Sequence, residues 1–179
     1  FQYYLKEEPK PLFVESHRLS PFNVRGVDVD VVLDLMIHDL DLILSLCNSN
    51  VVNIAANGAK IVSNKLDLAS VRLEFKNKVV ANITASRISS KQMRKMRIFE
   101  KNKYSAIDFQ KQSIQQFAVD NENKTVPVVD KTIKGNALFL ELQSFVDSIK
   151  NDLSVQVSGD QGLRVLILAT KIKEIIGQK

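Results

Sequence analysis

The sequence predicts an α+β domain, an open and mainly antiparallel β-sheet with helices on one face. Three observations carry that prediction. Six β-rich segments follow one another between residues 51 and 121 with no helical pattern between them. One strongly apolar helical segment precedes this run, and two segments with apolar residues spaced three and four apart follow it. Finally, 179 residues, of which 45% are hydrophobic and 25% charged, suit one domain with a proper core.

The elements follow in order. PLFVESHRLSPF alternates apolar and polar residues up to Pro21, which predicts a strand from Leu12 to Leu19 leading into a loop. Asp28 or Asp30 can then cap a helix that runs to about Cys47. VVNIAANGAKIV, LASVRLEF, VVANITASRIS, MRKMRIFEK, YSAIDFQ and SIQQFAVDN read as strands. FKNKV and EKNKYS read as hairpin turns between them, giving a meandering antiparallel sheet. VPVVDKTIKG closes the region, and helices follow from Asn136 to Asn151 and from Asp160 to about Ile176. ANITASR, Ala81 to Arg87, interleaves small apolar and small polar residues. That pattern predicts a helix-free sheet face on which Ala81, Ile83 and Ala85 meet a second protein surface.

Within the first long helix, VVLDLMIHDLDLILSL carries acids and a histidine in an apolar setting. At about 100° per residue, with Asp34 at zero, His38 falls at about 40°, Asp41 at about −20° and Ser45 at about 20°. Leu33, Leu35, Met36, Ile37, Leu40, Leu42, Ile43, Leu44 and Leu46 occupy nearly all the rest of the circumference, which predicts burial on most sides and a polar stripe facing something polar. Three titratable groups held in a core for structure alone would be costly, so the stripe is a candidate site. Asp39 is separate, at about 140°; it is expected to accept bonds from an arginine or from backbone amides.

No apolar run approaches the roughly 20 residues of a membrane span, and FQYYLKEEPKP lacks the form of a signal peptide, which predicts a cytoplasmic protein without a membrane partner. Cys47, the single cysteine, excludes an internal disulfide and lies about half a turn from His38, too far around the helix for a nucleophile pair. The two histidines and this cysteine lie on separate faces, so no metal site is expected. Net charge is +5, and Lys91 to Lys103 holds six basic residues against the single acid Glu100, so the rest of the chain sums to zero. This run is either a solvated hairpin or a site for an anion such as a diphosphate. Nucleic acid ranks below both, because only Phe99 and Tyr104 lie near the basic residues and no recognised binding motif accompanies them. No G-x-G-x-x-G turn occurs in the sequence.

With Asp34-x-x-x-His38 early on a helix, a following antiparallel sheet and a GDQGLRVLILATKI terminal helix, the whole chain resembles the C-terminal domain of the Gfo/Idh/MocA oxidoreductases. The resemblance implies that residues 1–179 form a substrate-binding and homo-oligomerisation domain, and that the N-terminal Rossmann domain binding NAD or NADP is absent from this chain. It also implies oxidation of a hydroxyl of a sugar or nucleotide sugar, with His38 as general base and Asp34 orienting and stabilising it. The family's third member, a lysine in an E-K-P segment, has no counterpart here, so the chain alone is expected to be inactive. FVESHRLSPFNVRG and ASRISSKQMRKMR further resemble members acting on nucleotide-linked amino sugars, such as those oxidising the 3-hydroxyl of UDP-N-acetylglucosamine. On that reading Arg18, Arg25, Lys91 and Arg94 hold the anionic substrate, and Asp41 and Arg87 join them as substrate contacts. The rival from another class is a non-catalytic binding or assembly module that keeps the fold.

Overall fold

The computed structural model describes residues 1–24, 26–120 and 122–178, and only the backbone of Gln2 and Tyr3. Eight strands form one sheet: β1 (Phe13–Leu19), β2 (Val51–Ala59), β3 (Leu68–Phe75), β4 (Val80–Ser86), β5 (Met93–Glu100), β6 (Lys103–Asp108), β7 (Ser113–Val119) and β8 (Thr125–Thr132). Their order across the sheet is β2-β3-β4-β1-β5-β6-β7-β8. Among the described residues four helices accompany it: α1 (Gln2–Leu5), α2 (Ile37–Cys47), α3 (Ala137–Lys150) and α4 (Gly159–Gly177). A single π-turn, Val32–Met36, leads into α2.

The sheet is not a plain antiparallel meander. β1 lies in its middle, parallel to β4 and antiparallel to β5. The chain leaves β1, crosses through α2 to the outer strand β2, and returns by the hairpins β2-β3 and β3-β4 to lie beside β1. It then passes the end of β1 to enter β5. Sequence patterning could not anticipate this, because strand order depends on long-range pairing rather than local periodicity. The expected tips at FKNKV and EKNKYS do join β3 to β4 and β5 to β6, the second with Asn102 at φ +58°. β8 adds an outer strand that its Pro127 argues against; proline is tolerated there because the strand lies at the edge, beside a register shift in its pairing with β7.

One face of the sheet carries the core. Val14, Val71, Leu73, Ile83, Met96 and Ile98 are buried there with Met36, Leu40 and Ile43, and with Val165, Leu168, Ala169 and Ile172 of α4. Ala81, Ile83 and Ala85 belong to this covered face and are fully buried, contrary to the expectation that they line the open one. The alternation along β4 turns Val80, Asn82 and Thr84 to the other side, and a step of one residue moves every side chain to the opposite face. The open face instead presents Glu15, Arg72, Asn82, Lys95 and Arg97, with an aromatic row, Phe13, Phe99, Tyr104 and Phe117, whose successive centroids lie 6.0, 5.1 and 5.6 Å apart. Among the described residues no helix is long and apolar enough to cross a membrane.

Candidate active site

The site begins with the loop after β1. Asp30 ends that loop and caps the helical segment: its Oδ1 accepts the amides of Val32 and Leu33, each at 3.1 Å, and its Oδ2 pairs with Lys173 Nζ of α4 at 2.8 Å. The first turn is a π-turn, with the Ile37 amide donating to the Val32 carbonyl five residues back. Single π-turns inside helices occur often at functional sites. Here the turn contains Asp34 and ends just before His38, so the spacing of this pair bridges two helical geometries.

Asp34, His38 and Ser45 are exposed and Asp41 is half-buried, so the stripe lies at the surface rather than inside a helix buried on most sides. Leu33, Leu35, Ile37, Leu42 and Leu44 are likewise only partly covered. Burial pushes the Asp41 carboxyl above its usual range, and the nearby His38 charge works the other way. Asp41 and Ser45 also line a groove of about 660 Å³ between α2, β2 and α4, whose opposite wall carries Arg164 and Lys171. These two cations are seven apart on one helix face, a spacing readable from sequence; that α4 packs beside α2 was not. Cys47 is buried, its thiol pushed up to about 12 by desolvation, so it is packed rather than nucleophilic.

The remaining candidates divide. Asp39 points into the core, where its carboxylate accepts Ser16 Oγ at 2.9 Å, Arg18 Nε at 2.6 Å and Arg18 Nη2 at 3.2 Å. Arg18, expected at the substrate, therefore ties β1 to α2 instead. Arg87 also turns inward: its guanidinium donates to Asp67 Oδ1 and to the carbonyls of Gly26, Val29 and Leu66. Each arginine is engaged within the fold by a buried carboxylate distant in sequence, Asp39 for Arg18 and Asp67 for Arg87. Arg25 lies outside the described residues. Lys91 and Arg94 are exposed, and among the described residues neither side chain has an ion-pair partner. Arg94 stands directly across from Arg18 in the β1-β5 ladder, which brings it to the end of the sheet where Arg18 meets α2. The basic run is split, however, because Arg97 and Lys95 face the open side, paired with Glu15 at 2.5 Å and Asp108 at 3.7 Å.

Asp34 and His38 thus start the helix that leaves the carboxyl end of β1, beside the carboxyl end of its parallel neighbour β4. The connections from these two strands run to opposite sides, β1 toward β2 and β4 toward β5.

Comparison with known proteins identifies relatives of this sequence and fold. The chain is 36% identical over 170 residues to the UDP-N-acetylglucosamine 3-dehydrogenase of Acidithiobacillus ferrooxidans, covering 91% of this chain and 54% of that protein. A solved structure of the Acidithiobacillus enzyme superposes with a TM-score of 0.87 at 34% identity, over 97% of this chain and 57% of that one. Levoglucosan dehydrogenase in complex with NADH shares the fold at 13% identity, with a TM-score of 0.80, over 98% of this chain and 59% of that chain. This chain accordingly spans a little over half the length of the relatives it matches. The GFO/IDH/MocA C-terminal domain model matches residues 6–102, the stretch that holds the central strand, the π-turn, the Asp34 to His38 pair and the parallel neighbour β4, so the chain belongs to the GFO/IDH/MocA family as its C-terminal domain.

Proposed function

We propose that this chain is the substrate half of an NAD(P)-dependent dehydrogenase that oxidises a hydroxyl of a nucleotide sugar. The observation that carries the reading is the outward-facing Asp34 and His38 pair at the carboxyl end of β1, in a chain 36% identical to an enzyme named for the 3-oxidation of UDP-N-acetylglucosamine. Oxidising an alcohol removes a proton and a hydride. Neutral His38 takes the hydroxyl proton, and Asp34 orients the imidazole and stabilises the cation that forms. A nicotinamide dinucleotide, bound by a preceding Rossmann domain, supplies the hydride acceptor. Arg94 and Lys91 hold the diphosphate at the same end of the sheet. Arg94 suits an anion, since Arg18 across the ladder already has Asp39.

The apolar side of α3 supports a preceding domain: Leu138, Leu142, Phe145 and Ile149 are 56–66% exposed, an unusual surface for a helix left in water. The open sheet face, with its aromatic row, is proposed as the homo-oligomer interface. The test uses the full-length protein, kcat and KM for UDP-N-acetylglucosamine, and His38→Ala with circular dichroism as a folding control. Turnover should fall by about 10² to 10⁴. Arg94→Ala should raise KM for the nucleotide sugar about ten-fold. A folded His38→Ala protein that keeps wild-type turnover would show that His38 is not the base, whereas a full-length wild type that oxidises no nucleotide sugar would leave the chain a binding or assembly module.

A further inference from the structure

Two buried residues away from the stripe, Asp67 and Arg87, bond to the chain that delivers it. Their side chains are 0% and 5% exposed, with Arg87 Nε on Asp67 Oδ1 at 3.1 Å. Asp67 sits just before β3 and is held by the preceding loop, its Oδ2 accepting the amides of Ile61, Val62 and Ser63 at 2.7, 2.8 and 3.0 Å. The remaining Arg87 donors reach outward from the end of β4. Nη1 donates to the Gly26 carbonyl at 2.9 Å; Nη2 donates to the Val29 and Leu66 carbonyls, both at 2.8 Å. The Leu66 carbonyl in turn accepts the Val31 amide at 2.9 Å. Three points of the short segment 26–31 are therefore tied to this one pair, and the next residues are the π-turn and Asp34.

We propose that the Arg87–Asp67 pair is a positioning device for the Asp34 and His38 stripe, setting the placement of the π-turn through Gly26, Val29 and Val31 without touching the reacting groups. A planar guanidinium with five donors in a fixed fork can hold one carboxylate and three carbonyls at once, which a lysine ammonium cannot. Gly26 adopts φ +80°, a backbone conformation that suits glycine, and lies on the Asp34 side of the segment, where an added Cβ would be in ordinary contact with Asp34 Oδ2 at 3.9 Å. A shift of this segment reaches Asp34 through the backbone, since the Asp34 amide donates to the Asp30 carbonyl at 3.0 Å. Misplacement of about 1 Å at a reacting group can cost about 10² in rate.

The catalytic half of this inference rests on the function proposed above, whereas the geometric half does not, and the test separates them. Arg87→Lys and Asp67→Asn are made in the full-length protein and studied well below its melting temperature. Hydrogen exchange is read peptide by peptide, beside kcat and KM for the nucleotide sugar. Exchange should quicken in residues 26–36 with the strands β3, β4 and β5 unchanged, and kcat should fall about 10²-fold with a smaller change in KM. Unchanged exchange at 26–36 in a folded Arg87→Lys protein overturns the proposal. So does loss of protection across the whole sheet in both variants, which would make the pair a general structural tie. If the wild-type protein oxidises no sugar while the local quickening is seen, the proposed function fails and the positioning of the stripe stands.

Discussion

Asp39 and His38 are neighbours in sequence with opposite fates, one buried against Arg18 and Ser16 and the other facing outward. Angle around a helix separates them, and that is legible from spacing alone, with Asp39 expected to accept from an arginine or from backbone amides. Which arginine answers a given acid was not legible, because it depends on strands joined through the tertiary fold. The same holds for Asp67, which no sequence motif singles out. Burial pushes its carboxyl up, but the Ser63 hydroxyl and the amides of Ile61, Val62 and Ser63 outweigh this and hold it well below the usual carboxylate range. A carboxyl depressed in the folded state stabilises the protein above its unfolded value, near pH 3.9, and loses that contribution as pH falls toward the folded value. Wild type should therefore exceed Asp67→Asn in melting temperature at neutral pH, with the gap narrowing below about pH 4. Melting curves across that range check it; a gap independent of pH would assign the effect to packing rather than charge.

At the scale of elements, the start of α4 is written in the sequence as a capping box. SGDQ places Ser158 three residues before Gln161, and in the structure Ser158 Oγ accepts the Gln161 amide while the Gln161 side chain accepts the Ser158 amide, a reciprocal capping box. The helix starts at Gly159, a residue before the expected Asp160. Because the helix α4 packs on α2, the π-turn and β2, its cap matters to the site's floor as well as to its own end. Ser158→Ala should cost about 1 kcal/mol, read as a lowered urea midpoint with an unchanged m-value. The π-turn is the contrary case. No composition rule separates VLDLM from ordinary helix, and the extra residue is accommodated where the Asp30 cap and the pairing to Lys173 and Leu66 fix the entry of the chain. For α3, the apolar spacing announced a helix but could not say that its apolar side would stay exposed among the described residues.

Over the whole molecule, the placement of β1 decides what every other part can do. As the central strand it holds α2 on one face through Ser16 and Arg18, and contributes Phe13, Glu15 and His17 to the other. The open face is amphipathic rather than plainly apolar, with half-buried rings flanked by Glu15, Arg97 and Arg72. Interfaces of this composition, aromatic and arginine-rich, are common between protein copies. Sedimentation of the full-length protein at tens of micromolar should show a homo-oligomer, and Tyr104→Lys, which puts a charge into the aromatic row, should shift it toward monomer. A wild-type protein that remains strictly monomeric counts against the interface.

The sequence by itself determined the class of the fold, the hairpin tips and the three long helices. These depend on periods of two and 3.6 and on turn chemistry, which act within a few residues. The tertiary structure alone decided that β1 lies between β4 and β5, which face of the sheet is covered, and that Arg18 and Arg87 turn inward. Those outcomes depend on contacts between residues tens of positions apart, where a single register step or a distant carboxylate reverses the direction of a side chain.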